Sequence, residues 1–384
     1  MTKIYDVDGN VLYENRESFL GINNAIALKK NFTNAISALN NLRTLPVIVH
    51  TSDVHGDSMR FARAYNLAKR LGVDAFVCTG DMVRYNSTDD YSFVTSAVDN
   101  SVPYLQCLGN HDTFNYATEE EVYNKFIKPW KDDVTLPQDV TYPTYYYKDD
   151  ANKKLRIISA NQFQSVTNSN TNHNTVHFHQ EQITWFVTTL LATPANYGVI
   201  VLMHTPEQKP VMDNTYTKFM QKNVPFWDSV RYKPITEIVD AFISGGTLSK
   251  TYNNGSGYTP SSFTVSADFS TKNTGVEFVA YMTGHMHSDN VSYVPNTTNK
   301  QLMLNVVCTN IWVNKTTDGS EGPSYPYYNE LNDLGRMDDE ESQDAFNVYA
   351  IDRSGKNVKI ARIGACMPYD FSEIRDCMVI PYSD

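Results

Sequence analysis

The residues of this chain best suited to chemistry fall in five short blocks: Asp53-Val54-His55, Gly80-Asp81, Gly109-Asn110-His111-Asp112, Met203-His204 and Gly284-His285-Met286-His287. Each carries a carboxylate, an amide oxygen or an imidazole, the donors that hydrolytic divalent metals take, and none carries a thiolate. One such group at the end of a strand means little, because a lone histidine is usually a satisfied core or turn residue. Five blocks in this order describe a site for two metal ions. Asp81 follows a glycine, which permits a tight turn and close backbone approach. Its two carboxylate oxygens can bridge two cations, as a neutral imidazole cannot. Asp53 and His55 are spaced i, i+2, as are His285 and His287. In an extended segment each such pair points to one side and reaches one centre.

The blocks need elements to deliver them. Val47–Thr51, Val73–Cys78, Pro103–Leu108, Tyr197–Met203 and Phe278–Met282 are short apolar runs that read as buried strands, each running into one block. Residues 58–71 carry Phe61, Ala64, Leu67 and Leu71 at helical spacing, and helices are also expected near 90–99 and over 180–191. Strand, helix and strand at about 30 residues per unit indicate parallel strands with right-handed crossovers. Such sheets place functional residues at the carboxyl ends of their strands. Alternation runs to about residue 205, and the rest is strand-rich, with Gln301–Cys308 and a hairpin over 345–363 turning at Ser354-Gly355-Lys356. The pattern predicts an α/β fold: a four-layer αββα sandwich of two mixed sheets flanked by helices.

The five blocks resemble those of the calcineurin-like metallophosphoesterases, over roughly residues 45–365. The resemblance implies that Asp53, His55, Asp81 and His287 hold one ion, and that Asp81, Asn110, His204 and His285 hold the other. It implies two divalent ions (Mn, Fe or Zn) and hydrolysis of phosphate mono- or diesters by a metal-bridging hydroxide. It also makes His111 the general acid and Asp112 its partner. Chemistry agrees, since a protonated imidazole beside a ligand can protonate a leaving alkoxide. Asp112 can orient that ring or serve as a turn or cap aspartate. The chain departs from the purple acid phosphatases of the superfamily, which place a ligating tyrosine three residues after the bridging aspartate. Arg84 stands there, with Tyr85 one residue on. That argues against a tyrosinate-bound ferric ion.

Three further histidines fit structural roles better. His177-Phe178-His179 enters the helix expected from Gln180, His50 lies inside the first strand, and His173 falls in an Asn/Thr-rich loop. A hairpin and helix arm over 1–44, the metallophosphoesterase domain over 45–365 and a tail over 366–384 divide the chain. Insertions at 113–155 and 207–262 are expected to wall the cleft, and Tyr145, Tyr147, Tyr216, Phe226 and Trp227 in them can stack a base or simply pack. The arm motivates an alternative, a structural or attachment protein of a phage or surface assembly carrying the domain as an accessory.

The net charge is -11, with no basic stripe for nucleic acid and no polybasic membrane patch. The expected partner is a small phosphorylated substrate, a nucleotide among the candidates. No apolar run approaches the roughly 20 residues of a membrane span, and the first residues lack the pattern of a signal peptide. Five cysteines, three of them (Cys78, Cys107, Cys308) in apolar runs, suit a reduced chain, so a cytoplasmic location is expected.

Overall fold

The structure, a computed structural model, describes residues 3–5, 11–14, 44–84, 90–113, 118–164, 176–207, 211–212, 233–255, 260–286, 290–306, 345–364 and 378–383. His287, His173, Cys308, Tyr216, Phe226 and Trp227 therefore lie outside the described residues. A short antiparallel pair, β1 (Lys3–Tyr5) and β2 (Val11–Glu14), represents the expected hairpin of the arm.

The fully buried strand β3 (Val47–Thr51) is followed by helix α1 (Ser58–Leu71). The Asp57 side chain accepts from Arg60 N at the start of α1, and Gly72 ends it in the left-handed conformation. Then come β4 (Ala75–Thr79), the short α2 (Ser92–Ala97) and β5 (Tyr104–Cys107). Strands β3, β4 and β5 are parallel neighbours. Of the late strands, β15 (Ala345–Asp352) pairs antiparallel with β3, β16 (Asn357–Gly364) with β15 and β17 (Met378–Pro381) with β16, giving a six-stranded sheet in the order β17-β16-β15-β3-β4-β5.

The insertion after β5 opens with α3 (Glu119–Val122), started by a Thr118–Glu121 capping box, and runs through a π-turn and a 3-10 turn to Asp133. It returns as β6 (Tyr146–Asp150), paired antiparallel with β7 (Leu155–Ser159). After α4 (Gln180–Leu191) come β8 (Gly198–Leu202) and the two-residue β9 (Val211–Met212). The remaining strands here are β12 (Glu277–Thr283), β13 (Asn290–Tyr293) and β14 (Leu302–Asn305), completing a seven-stranded sheet in the order β6-β7-β8-β12-β14-β13-β9.

Alternation along these strands makes the sandwich. Ile157, Ile200, Leu202, Ala280 and Met282 join the core shared with the six-stranded sheet. Their neighbours Ile158, Val199, Val201 and Tyr281 face the other way. That outer face is covered by α4 and by α5 (Pro234–Ser244). The four layers are therefore those expected, and the stretch 207–262, expected as an insertion walling the cleft, holds α5 and most of a hairpin. α5 starts at a proline and ends at Gly245 with φ 66°. The hairpin, β10 (Thr247–Asn253) and β11 (Ser262–Asp268), lies outside the helices and buries Tyr252, Phe263 and Val265 against them.

Two polar devices hold these layers in place. Gln106 on β5 accepts from the hydroxyls of Tyr91 and Tyr104, each at 2.7 Å, and donates to the Phe126 carbonyl, so it staples the 119–133 insertion to the sheet. Gln106→Met is expected to lower stability by about 3 kcal/mol, because it strands buried hydroxyls at about 1–3 kcal/mol each; a urea midpoint unchanged from the parent would refute this. At the amino ends of the parallel strands, Arg353 in the β15–β16 turn reaches into the seven-stranded sheet. It donates to Glu277 Oε1 at 2.6 Å and to the Asn196 carbonyl at 2.6 Å. Among the described residues no helix is long and apolar enough to cross a membrane.

Candidate metal centre

Strands β3, β4 and β5 of one sheet end at Asp53, Asp81 and Asn110, and β8 and β12 of the other end at His204 and His285. Loop backbones tie these ends together. Asp53 N donates to Gly80 O at 2.9 Å, His55 N to Asp81 O at 2.9 Å and Gly284 N to His204 O at 2.9 Å. Asp53 Oδ2 accepts from His285 N at 2.9 Å, and Asp81 Oδ1 from His111 N at 2.9 Å. There is no spare room: a Cβ on Gly109 would sit 2.1 Å from Asp81 Oδ1, and one on Gly284 would sit 1.8 Å from Ser52 Oγ.

The backbone corrects one expectation. Asp53 and His55 are not extended; their φ values are 52° and 47°, and Asp81 and His285 are likewise left-handed at 54° and 65°. Among the described residues, four of the nine non-glycine residues with positive φ are thus candidate ligands. Such conformations cost about 1–3 kcal/mol each and gather where function demands them. Asp53 and His55 therefore sit in a strained turn, and not on the pleat of a strand.

Asp81 stands at the meeting point of two groups of donors. His55, Asp81 and His111 have potential ligand atoms within 4.8 Å of one another, and so do Asp81, His204 and His285. His204 Nδ1 donates to the Thr79 carbonyl at 2.6 Å, so a neutral ring turns the lone pair of Nε2 inward. That nitrogen lies 3.2 Å from Asp81 Oδ2, 3.2 Å from Asn110 Oδ1 and 3.2 Å from His285 Nδ1. Carboxylate and carboxamide oxygens only accept. Buried lone pairs facing one another at this distance repel unless a cation or a proton lies among them. The second expected ligand set therefore fits a divalent ion. In the first set His55 Nε2 is 3.9 Å from Asp81 Oδ2, and His111 stands with them. Asp53 belongs to neither group but accepts from the backbone N–H of His285, a member of the second, and His287 lies outside the described residues.

The electrostatics follow from the same contacts. Burial pushes Asp81 up, but the charges of His204, His111 and His55 hold it well below the usual carboxylate range. Burial pushes His204 down and the Asp81 charge outweighs it, carrying the imidazole up to about 9. Metal binding to this cluster would thus compete with protonation of His204.

Of the two roles open to Asp112, partner of His111 or turn aspartate, its contacts are those of the second. Its Oδ2 accepts from Asp81 N at 2.8 Å and from Gly109 N at 2.9 Å, and its Oδ1 from Val83 N at 3.2 Å. It braces the two loops that carry Asp81 and Asn110, and burial and the Asp81 charge push it up to about 7. The His111 ring is oriented instead by the Arg84 carbonyl, which accepts from Nδ1 at 2.7 Å, and it stands edge-on to His55 at 4.8 Å. The residue that marks the departure from the purple acid phosphatases thus acts here through its backbone.

Other singled-out residues fall outside the cluster. His50 is buried between Thr79 Oγ1 at 2.8 Å and Tyr349 OH at 3.4 Å. Tyr145 packs on Trp185 and Tyr147 under Arg156, so neither is offered to a base. His177 and His179 stack edge to face at 5.3 Å and belong to neither donor group. Burial, aided by the His179 charge, lowers His177 to about 4. Its neutral form is the one the fold favours. The stability this contributes is present above the unfolded value near 6.5 and is lost as pH falls from there towards 4. His177→Gln is therefore expected to flatten the acid branch of the stability curve over this window, and an unchanged slope in urea titrations would contradict it.

A family model described as calcineurin-like phosphoesterase matches residues 46–289. Among solved structures, a dimetal phosphatase from Danio rerio is similar at 10% identity and TM-score 0.48, covering 88% of this chain and 99% of its own. A predicted phosphoesterase from Streptococcus pneumoniae is 11% identical with TM-score 0.32, covering 87% of this chain and 97% of its own. The phosphopantetheinyl hydrolase of Mycobacterium tuberculosis is 10% identical with TM-score 0.32, covering 69% and 90%. No curated protein matches the sequence.

Proposed function

The chain belongs to the calcineurin-like phosphoesterase family, and from that premise we propose that it hydrolyses phosphate esters of small molecules with two divalent ions held about Asp81. The observation that carries this reading is the meeting of acceptor atoms 3.2 Å from His204 Nε2, on a carboxylate shared by two donor groups. One ion would take Asp53, His55, His287 and Asp81; the other would take Asp81, Asn110, His204 and His285. Mn, Fe(II) and Zn all suit this oxygen and imidazole set, and availability decides among them.

When bound, such ions activate water and neutralise charge on the phosphoryl oxygens. The chain supplies the rest. Asp112 fixes the loops of Asp81 and Asn110. Thr79 holds His204 in the tautomer that presents Nε2. The Arg84 carbonyl accepts from Nδ1–H of His111, which leaves Nε2, protonated in the imidazolium form, as the group that would meet the leaving oxygen. As the P–O bond breaks, the Nε2 proton passes to the departing alkoxide. The ring is half-buried, and so within reach of both solvent and substrate.

The deciding experiment is a matrix of Mn2+, Fe2+ and Zn2+ against aryl phosphate monoesters and diesters, then nucleotides, on metal-stripped protein. Hydrolysis in at least one reconstituted combination is expected. None in any combination, with ions shown to be bound, would reject the reading.

A further inference from the structure

We infer that Gln162 is a positioning residue for His204 and thereby sets the affinity of the ion site that His204 serves; the inference rests on the two-ion reading above. After Ala160, whose N–H donates to Leu202 O at 3.1 Å, the chain leaving β7 turns away from the chain leaving β8. The side chain of Gln162 takes over where backbone pairing stops. Its Nε2 donates to Thr205 O at 2.8 Å, and its Oε1 accepts from Thr205 N at 2.7 Å. The carboxamide thus meets both backbone groups of the residue after His204, as a neighbouring strand would. The next residue, Phe163, sets its ring against His204 at 6.0 Å between centroids.

Gln162 is fully buried, and its own segment is fixed from behind. Its carbonyl accepts from His177 N at 2.7 Å. Asn161 N donates to Gln182 Oε1 at 2.8 Å, and Gln182 Nε2 donates back to Asn161 O at 2.7 Å. Asn161 Nδ2 reaches Thr144 Oγ1 at 2.8 Å. A rigid support of this kind matters because Nε2 of His204 would have to sit within a few tenths of an ångström of its place for His204 and Asp81 to hold an ion together. On the opposite side the Thr79 carbonyl holds Nδ1. The imidazole is therefore clamped through its ring by one sheet and through its backbone by Gln162.

The test uses two variants of the full chain. Gln162→Met keeps the shape and removes both bonds; Gln162→Glu keeps the acceptor and removes the donor. Mn2+ binding to metal-stripped protein is measured by calorimetry, with the urea midpoint alongside. The parent is expected to bind two ions. In the Met variant one site should weaken by about 10–100-fold, the usual cost of losing a group that orients a ligand, while the other stays within about twofold. The Glu variant should fall between, and it carries the test if the Met variant does not fold. A lowered urea midpoint with both affinities at the parent values would make Gln162 a packing residue and overturn the inference. So would equal weakening of both sites. A parent that binds neither Mn2+ nor, titrated in its place, Fe2+ or Zn2+ would instead remove the two-ion reading itself, and the inference with it.

Discussion

Asp81→Ala is expected to lose both ions at working concentrations and at least about 10³ in kcat/KM. Losing a single preorganised electrostatic contact typically costs 10²–10³, and this substitution removes the one carboxylate that both donor groups share. The loss should not be a loss of fold, since the loops around it are braced by Asp112 through Val83 N and Gly109 N as well as Asp81 N. His204→Ala is the companion: it should empty mainly one site and leave the other measurable. Metal content and circular dichroism on stripped and reconstituted protein separate the two cases. Full activity of Asp81→Ala after defined reconstitution would show that the centre is misassigned.

His111→Asn should keep both ions and lose turnover, by about 10²–10⁴ on an alkyl phosphate and by much less on an activated aryl phosphate. General acid catalysis is worth about that range, and its value rises with the basicity of the leaving oxygen. The structure sharpens the stakes. His111 lies close enough to His55 and Asp81 to be grouped with them as a donor, and its backbone N–H holds Asp81 Oδ1 at 2.9 Å. A ligand role and an acid role therefore make opposite forecasts for metal content. Equal loss on both esters with both ions present would leave His111 as a charge stabiliser. Loss of an ion would make it a ligand.

Much of this architecture was legible in the sequence because it depends on periodicity. The apolar runs ending at Asp53, Asp81, Asn110, His204 and His285 are strands, and the helices over 58–71 and 180–191 have those limits. What escaped depends on contacts across the fold. No local signal says that Asp53, His55, Asp81 and His285 sit at positive φ, since aspartate and histidine adopt it more often than most residues but still uncommonly, and residue type alone does not say where. Asp112 looked like a partner for its neighbour His111, but backbone amides from residues 81 and 83, outside any local window, claimed its carboxylate. Gln162 carries no signal at all: a glutamine after a strand reads as surface until Thr205, 43 residues on, closes over it. The helix Pro234–Ser244 had both of its signals, a proline to start and a glycine to stop; the glycine- and asparagine-rich stretch that follows masked them.

The placement of Arg353 gives the centre a mechanical character. Oxygen donors Asp53, Asp81 and Asn110 ride on one sheet, and nitrogen donors His204 and His285 ride on the other. Two plates carrying the halves of a lock keep it aligned only if they cannot slide. At the far end of the sandwich Arg353 crosses from one plate to hold Glu277 and the Asn196 carbonyl on the other. Glu277 opens the same strand whose other end leads to His285. That strand is a lever pinned at its foot, and shear between the plates would move the imidazoles against the carboxylates ångström for ångström.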